Sequence, residues 1–261
     1  MGDTLAIDYE GHLAQITLTR PDVLNRFDPA LHRDFIEALG EVRAAGDVRA
    51  VVLASTGKVF SAGGSFDFML AARADTAVRI AALDEGRRLF HTLADLPIPV
   101  VTALHGDAIG LGATVVLATD AVVACRPAGL SDPHVAIGLV AGDGGCVVWP
   151  AAAGMLRAKR HLLTGDRLTA EDAFSMGLVT DLVDTPEETL PAARLLAERI
   201  AALPPLAVQG TKRALNRVVQ ARAGEVLDLS FALEGQSMAS DDLAEAIDAF
   251  KQKRPPVYRG R

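Results

Sequence analysis

The chain has 261 residues, of which 50% are hydrophobic and 23% are charged, and this composition excludes a disordered protein. Its net charge of −7 argues against non-specific binding to nucleic acid, which requires a positive field. No apolar run reaches the ~18 residues that a transmembrane helix needs, and the first residues form no secretory signal, so we expect a cytoplasmic protein without membrane contact. Two cysteines are too few for a disulfide framework or a four-ligand zinc site, and no metal site is predicted.

The spacing of apolar residues predicts an α/β protein. The first two strands form a hairpin around Glu10-Gly11, and Asp28-Pro29 has the residue types that begin a helix. Buried strands and helices then alternate, which favours parallel pairing. The predicted strands cover residues 5–8, 13–19, 50–54, 100–104, 121–125 and 178–183, and the predicted helices cover residues 29–42, 66–73, 77–96, 110–118, 151–163 and 170–177.

The composition changes after Pro186, and the remaining residues have helical spacing. Helices are predicted over 189–203, 206–223 and 225–253, with breaks at Pro204-Pro205 and near Gly224. We therefore divide the chain into an α/β core, residues 1–195, and a helical C-terminal region, residues 196–261. Five basic residues and no acidic one lie between Lys251 and Arg261, and they form either a solvated tail or a patch that binds a phosphorylated small molecule.

Several segments, in order, resemble the crotonase (enoyl-CoA hydratase/isomerase) superfamily. The resemblance covers essentially the whole chain and implies a crotonase-like core of repeated ββα units with a helical C-terminal trimerisation region. It also implies an acyl-CoA substrate, no cofactor apart from the coenzyme A of that substrate, and assembly as a homotrimer or a dimer of trimers. The matching segments are Arg20-Pro21-x3-Asn25, residues 60–64 (FSAGG), 103–120, 163–166 running on to 177–179, and Phe250-x2-Lys253-Arg254-Pro255-Pro256-Val257.

The glycine-bearing segments carry the chemistry that the resemblance implies. An enolate formed at a thioester carbonyl needs two preorganised donors aimed at the oxygen, and backbone N–H groups suit this role. By the family pattern these donors are the N–H groups of Gly64 and Leu111, the second at a helix start. Most relatives have glycine at the second position, so the side chain of Leu111 is expected to point away from the pocket.

The two glutamates of the hydratase mechanism are absent, because Thr114 and His134 stand at their positions. Thr114 can only hydrogen-bond or orient a group. His134, followed by Asp143 in a Gly-Asp-Gly-Gly loop, can accept a proton, and a carboxylate partner stabilises the imidazolium. A His-Asp pair of this kind resembles that of the β-diketone hydrolases of the superfamily, which cleave a C–C bond by a retro-Claisen route.

The resemblance implies that coenzyme A is held along two loops. The first loop contributes Leu24, Asn25 and Arg26, and the second contributes Ala62. Arg26, Lys58 and the basic C-terminus are candidate partners for the phosphates. Gly142, beside Asp143, and Thr114 complete the predicted binding residues.

Three functions remain open at this stage. The first is an enzyme acting on an acyl- or enoyl-CoA through an enolate, with His134 and Asp143 in place of the glutamates. The second is a C–C bond hydrolase of the same superfamily, and the third is a non-catalytic binding protein. Two points about the site residues also stay open. His134 can have a purely structural role, and a carboxylate from the C-terminal helices, such as Glu234, can replace a missing glutamate.

Overall fold

A computed structural model describes residues 3–261. Its nine strands are β1 (Leu5–Glu10), β2 (Leu13–Leu18), β3 (Ala50–Ser55), β4 (Val100–Leu104), β5 (Ala108–Ile109), β6 (Ala121–Cys125), β7 (Gly129–Ser131), β8 (Leu168–Thr169) and β9 (Asp181–Val183). Its ten α-helices are α1 (Pro29–Ala44), α2 (Phe66–Ala74), α3 (Thr76–Ala94), α4 (Leu111–Leu117), α5 (Gly145–Ala153), α6 (Met155–Leu162), α7 (Ala170–Met176), α8 (Pro186–Ala201), α9 (Pro205–Met238) and α10 (Asp241–Gln252). Short 3-10 turns cover Pro21–Val23 and His134–Ile137.

Six strands form the main sheet in the order β1-β2-β3-β4-β6-β9. The hairpin predicted at Glu10-Gly11 is confirmed, since β1 and β2 pair antiparallel with Glu10 opposite Leu13. All other neighbours in this sheet are parallel. The strands β3 and β4 consist mostly of buried residues, because helices cover both faces of a parallel sheet.

The two faces of the sheet carry different helices. Residues of α1 and α3, among them Phe35 and Leu89, join the large core cluster on one face. On the other face, Ala193 and Ala197 of α8 pack against Val52 and Val101. Small alanine side chains let this helix approach the strands closely. The domain boundary predicted at residue 195 therefore falls inside a helix that packs on the core sheet.

A second sheet of three short strands, in the order β5-β7-β8, lies beside the first. Single parallel bridges join Ser61 to Ala108 and Phe27 to Gly64. These bridges fix the glycine-bearing loop against the chain segment that enters α4. This junction between the two sheets is where the functional site lies.

The prediction of one continuous helix over 151–163 is wrong, because two helices, α5 and α6, occupy this region. Gly154 separates them with φ 80° and ψ 158°, a backbone conformation that glycine adopts without strain. The first of the two helices already begins at Gly145. The Gly-Asp-Gly-Gly loop therefore leads directly into a helix.

The break predicted near Gly224 is also wrong. Helix α9 runs through this glycine without interruption for 34 residues. Packing of α9 against α3 and α5 outweighs the low helix propensity of one glycine, which is worth about 1 kcal/mol. The break occurs instead at Ser240, whose hydroxyl accepts a hydrogen bond of 3.3 Å from the Leu243 N–H and begins α10.

None of the helices within residues 3–261 combines the length and the apolar character that crossing a membrane requires.

Candidate active site

The predicted oxyanion hole lies where two chain segments run side by side. The Ile109 N–H donates a 3.0 Å hydrogen bond to the Ser61 carbonyl, and the parallel bridge sets Ser61 opposite Ala108. Gly64 and Leu111 each follow three residues after this bridged pair, and both line the same small inner cavity. The segments are in close contact, since a Cβ atom at Gly63 would lie 2.5 Å from the Ile109 carbonyl oxygen and 3.5 Å from the Leu111 nitrogen. Only glycine at position 63 permits this approach.

The amides of Gly64 and Leu111 are free to bind a ligand. Neither N–H donates a hydrogen bond to any group within the described part of the chain. Leu111 is the first residue of α4, so its amide has no partner within the helix and lies at the positive end of the helix dipole. Its buried side chain belongs to the main hydrophobic core and also borders a small inner cavity, as does Gly64.

His134 follows β7 in a 3-10 turn and is buried. Its Nδ1 atom is hydrogen-bonded to Asp132 Oδ1, and its Nε2 atom lies 3.5 Å from Asp143 Oδ2. The pairing with Asp143 was predicted from the sequence, whereas Asp132 was missed. The Asp132-Pro133-His134 spacing was the available signal, because a proline between the two residues turns the chain so that they can meet.

Asp143 is held from two directions. Thr114 Oγ1 donates a 3.0 Å hydrogen bond to Asp143 Oδ1, and the Gly145 N–H donates to the same atom at 3.3 Å. Asp143 Oδ2, which faces the imidazole, has no hydrogen-bond partner among residues 3–261. Thr114 therefore orients the Asp143 carboxylate through a hydrogen bond, which is the role expected of its hydroxyl group from the sequence.

A third carboxyl group enters the site from α9. Glu234 lines the inner cavity with Gly64, Leu111, His134 and Asp143, and it is 7% exposed. The backbone of Gly142 lies directly against it, since a Cβ atom there would be 2.6 Å from Glu234 Oε2. Glu234, which the sequence analysis named as a candidate replacement for a missing glutamate, thus lies in the same cavity as His134.

Burial and charge perturb all three groups. Burial opposes protonation of His134, but the negative charges of Asp132 and Asp143 outweigh it and raise its pKa to about 10. Burial also raises the pKa of Asp143, partly offset by His134. For Glu234, burial and then the nearby charge of Asp143 raise the pKa to about 8. Both raised pKa values favour the protonated forms of His134 and Glu234 at neutral pH.

Asp132, His134 and Asp143 also have the residue types of a metal site, with one possible ligand atom each within 4.8 Å of the others. The imidazole stands between the two carboxylates, and each ring nitrogen faces a carboxylate oxygen. Hydrogen bonding and ion pairing account for this arrangement, so it does not require a cation.

An outer cleft of about 830 Å³ leads to the inner cavity. The two share Gly64, Met69 and His134, so the glycine-bearing loop and the imidazole stand at the passage between them. Three of the predicted binding residues line the outer cleft, namely Leu24, Arg26 and Ala62. Arg26 makes no ion pair with a carboxylate in the described chain, which leaves its charge available to a ligand.

The other predicted binding residues occupy different places. The side chain of Asn25 is buried and holds the loop together, donating to the Thr56 carbonyl at 2.7 Å and accepting from the Arg20 N–H at 2.8 Å. Lys58 is exposed and is not among the residues that line the cleft. Thr114 and Gly142 lie behind Asp143 and Glu234, where they support these side chains.

The C-terminal tail forms one wall of the outer cleft. Arg254, Pro256 and Tyr258 line it, and the Tyr258 hydroxyl donates a 2.5 Å hydrogen bond to the Ala136 carbonyl in the turn that carries His134. Arg254 is bound by carboxylates of α10, at 2.9 Å for Glu245 Oε2 and 2.8 Å for Asp248 Oδ2. Arg254 is therefore paired within its own chain, whereas Lys251, Lys253 and Arg259 make no ion pair among the described residues, so the phosphate-binding patch stays a prediction.

Comparison with known proteins gives a consistent result. The model of the family "Enoyl-CoA hydratase/isomerase" matches residues 8–261. Crotonyl-CoA hydratase of Syntrophomonas wolfei is 32% identical over 257 residues, covering 97% of this chain and 96% of the relative. The 1,2-epoxyphenylacetyl-CoA isomerase of Escherichia coli is 32% identical over 249 residues, covering 94% of each chain.

A solved structure extends this similarity to three dimensions. The crystal structure of an enoyl-CoA hydratase/isomerase from Mycobacterium paratuberculosis superposes with a TM-score of 0.90 at 35% identity, covering 95% of this chain and 98% of the other. The predicted crotonase fold is thereby confirmed. Together with the free amides beside a buried imidazole, these matches show that the chain belongs to the enoyl-CoA hydratase/isomerase family, whose enzymes act on coenzyme A thioesters.

Proposed function

We propose that this enzyme binds an enoyl-CoA thioester and adds water to it through an enolate, using His134 and Asp143 as its proton-transfer pair. The observation that carries the proposal is one cavity lined by the two oxyanion-hole residues, Gly64 and Leu111, and by both members of the pair. The coenzyme A moiety then lies in the outer cleft along Leu24, Arg26 and Ala62.

The amides of Gly64 and Leu111 act on the thioester oxygen. As water attacks the β-carbon, the electron pair of the C=C bond moves onto this oxygen, and the two N–H groups stabilise the negative charge that develops. Removing one such donor from an enzyme typically costs about 3–4 kcal/mol of transition-state stabilisation. The start of α4 adds the favourable end of its dipole at the same point.

The His134–Asp143 pair moves the proton. Its carboxylate accepts the proton that the attacking water loses, and the pair then delivers this proton to the α-carbon as the enolate collapses. The product gains one hydroxyl and one hydrogen, and the pair returns to its starting state. Isomerisation of the double bond would use the same two amides to stabilise a dienolate, with the proton taken from one carbon and returned to another.

The test follows the absorbance of 2-enoyl-CoA thioesters of increasing chain length at neutral pH. We expect loss of the enoyl absorbance with at least one chain length, and a drop of about 10²–10⁴-fold in kcat for His134→Ala, with coenzyme A ester binding largely kept. His12→Ala, an exposed histidine far from the site, serves as the control and should retain full activity. Unchanged turnover in His134→Ala would remove this residue from the mechanism.

Hydrolysis of a cyclic β-diketone is the second candidate. The contact between His134 Nδ1 and Asp132 favours it, because a carboxylate at this nitrogen fixes the imidazole so that Nε2 can take a proton from water. The raised pKa of His134 counts against it, since the imidazole is already protonated at neutral pH. Detection of a ring-opened carboxylic acid would establish this reaction, and failure of both assays would favour the non-catalytic alternative.

We further propose that the chain assembles as a homotrimer or a dimer of trimers. Support comes from a second apolar face of α9, opposite to the one packed on the core. Leu215, Val218, Leu229 and Leu233 are 65%, 65%, 63% and 42% exposed. Their spacings of three, eleven and four residues place them along one side of the helix, and such a stripe is normally covered by a partner.

A further inference from the structure

A second histidine borders the inner cavity. His32 lies in the first turn of α1, is 6% exposed, and lines the cavity together with Gly64, Leu111 and His134. The His134–Asp143 pair does not contact it. Imidazole titrates near neutral pH, so a histidine in a catalytic cavity is suited to accept or donate a proton.

Contacts of the preceding segment hold the His32 ring near the glycine-bearing loop. Phe27 forms a parallel bridge with Gly64, and the Phe27 N–H donates a 2.7 Å hydrogen bond to the Gly63 carbonyl. The Phe27 ring packs edge-to-face against the imidazole, with 5.5 Å between the ring centroids. An enoyl group whose thioester oxygen binds the Gly64 amide therefore extends past His32.

One hydrogen bond fixes which ring nitrogen of His32 carries a hydrogen. Nδ1 lies 3.0 Å from the Asp28 carbonyl oxygen, which can only accept, so the neutral ring has its hydrogen on Nδ1 and a lone pair on Nε2. Nε2 makes no hydrogen bond to residues 3–261 and is not completely buried. Because burial lowers the pKa of His32, the ring is neutral at pH 7 and this lone pair can accept a proton.

The two imidazoles of the cavity have different electrostatic surroundings. The carboxylates of Asp132 and Asp143 flank His134 and favour its protonated form. The charges that act on His32 are those of Asp28, before α1, and Glu85, on α3. The cavity therefore has a base on α1 that is separate from the His134–Asp143 pair.

We propose that His32 is a second catalytic base, which takes a proton from the γ-carbon of the enoyl group through Nε2. This inference rests on the proposed function, in that it places the enoyl group in the inner cavity. It adds a reaction at a carbon that hydration leaves untouched, because hydration changes only the α- and β-carbons.

The step is a proton transfer with no net oxidation. The γ-carbon gives its proton to Nε2, and the C–H electron pair forms a double bond between the β- and γ-carbons. The former double-bond pair moves between the α-carbon and the carbonyl carbon, and the carbonyl pair moves onto the thioester oxygen. The amides of Gly64 and Leu111 stabilise the resulting dienolate. A proton returned to the γ-carbon restores the substrate, whereas a proton delivered to the α-carbon by His134–Asp143 gives the 3-enoyl ester.

The experiment locates deuterium in (E)-2-butenoyl-CoA incubated with the enzyme in heavy water at neutral pH, by NMR. The inner cavity measures about 70 Å³, which suits a short chain. Hydration places deuterium on the α-carbon of the product and leaves the methyl protons, which are those of the γ-carbon, in place. We expect the wild-type enzyme to exchange the methyl protons as well, because the deuterated imidazolium of His32 returns deuterium to the γ-carbon.

Two variants separate proton transfer from packing and hydrogen bonding. The amide of His32→Asn can keep the hydrogen bond to the Asp28 carbonyl but has no base at the position of Nε2. His32→Gln offers an acceptor there that is not basic. Both should slow exchange of the methyl protons about 10²-fold or more while hydration continues. His12→Asn is the matched control, because Nδ1 of this exposed histidine lies 2.9 Å from the Asp47 carbonyl and the residue lines neither cavity.

Circular dichroism and thermal unfolding of each variant establish that it is folded. Hydration by the wild-type enzyme without exchange of the methyl protons, or undiminished exchange in His32→Asn or His32→Gln, would overturn this inference alone. Absence of both hydration and exchange with every chain length would overturn the proposed function and this inference with it.

Discussion

At the scale of single residues, the site depends on carboxylates that come from distant parts of the chain and surround one imidazole. Asp132 and Asp143 contact His134, while Glu234 reaches the same cavity from a helix a hundred residues further along. Three acidic groups in one buried place cannot all be ionised at low cost, so protons are retained at neutral pH. The proton that the proposed chemistry transfers is a different one, because it passes from the attacking water through Asp143 to the α-carbon.

Asp132 should control the protonation of His134 more strongly than Asp143 does, because it makes the closer contact. We expect Asp132→Asn to lower the pKa of His134 from about 10 by more than Asp143→Asn does. Titration of the imidazole resonances by NMR in the three proteins measures this directly. A larger shift in Asp143→Asn would show that the main partner has been misassigned.

The raised pKa of His134 also predicts how the free energy of unfolding depends on pH. The folded-state pKa of His134, about 10, lies above the ordinary histidine value of about 6.5. Its ion pairs therefore stabilise the folded protein fully below about pH 6.5, and this stabilisation is lost as the pH rises through about 10. Urea denaturation at pH 7 and pH 10 should show a smaller pH-dependent loss in His134→Ala than in the wild-type protein.

Part of this site could be predicted from the sequence. The positions of Gly64, Leu111, His134 and Asp143 follow from local motifs that keep their order along the chain, and the structure brings all four to one cavity. The roles of Asn25 and Lys58 could not be predicted in the same way. A motif shows that a loop is present, but the direction of each side chain depends on hydrogen bonds made with other segments, such as that of Asn25 to Thr56.

At the scale of secondary-structure elements, α9 is fastened to the sheet by an ion pair between a buried lysine and a partly exposed aspartate. Lys212 Nζ donates to Asp120 Oδ2 at 2.7 Å and to the Ile98 carbonyl at 2.9 Å. Asp120 Oδ2 also accepts from the Val100 N–H at the start of β4. Burial lowers the pKa of Lys212, while Asp120 counteracts this effect. The helix that carries Glu234 thus takes its position from the edge of β4.

Lys212→Ala should lower the free energy of unfolding by about 1–2 kcal/mol, because the Ile98 carbonyl loses its donor, while the partly exposed Asp120 keeps its hydrogen bond from the Val100 N–H. Urea denaturation monitored by circular dichroism measures the change. Arg213→Ala, which removes an exposed charge one residue further on, is expected to stay within about 0.5 kcal/mol of the wild-type protein. Equal stability of the two variants would mean that the ion pair does not fasten the helix.

The elements themselves were largely predictable, and the errors have a common physical cause. Gly154 ends a helix and Gly224 does not, although each was judged only from its local sequence. Gly154 has a positive φ between two short helices, whereas Gly224 lies in a helix that packs along α3 and α5. Tertiary packing decides between these outcomes, and a single sequence does not contain that information explicitly.

At the scale of the whole molecule, one long helix serves two purposes. The buried side of α9 supplies Glu234 to the site, and the exposed stripe of Leu215, Val218, Leu229 and Leu233 faces away from the core. Assembly through this stripe would therefore bear directly on the helix that forms the wall of the inner cavity.

Light scattering coupled to gel filtration should give a mass of about 82 kDa, three times the 27.4 kDa of one chain, or twice that value for a dimer of trimers. Leu229→Glu should shift the population towards the monomer, since a charge in the stripe opposes its burial. Ala221→Glu, which adds the same charge elsewhere on the exposed surface of α9, is the control. A monomeric wild-type protein would contradict the proposed assembly.

The tail that closes the outer cleft has a practical consequence for anyone who expresses the protein. The Arg261 carbonyl accepts a 2.7 Å hydrogen bond from the Asp241 N–H, and Tyr258 is joined to the turn that bears His134. An affinity tag fused after Arg261 would thus start three residues beyond Tyr258, which lines the outer cleft, and it can alter the apparent KM if that cleft holds coenzyme A as proposed. Kinetic work on this enzyme is better served by a tag at the other terminus, or by one that is cleaved off before assay.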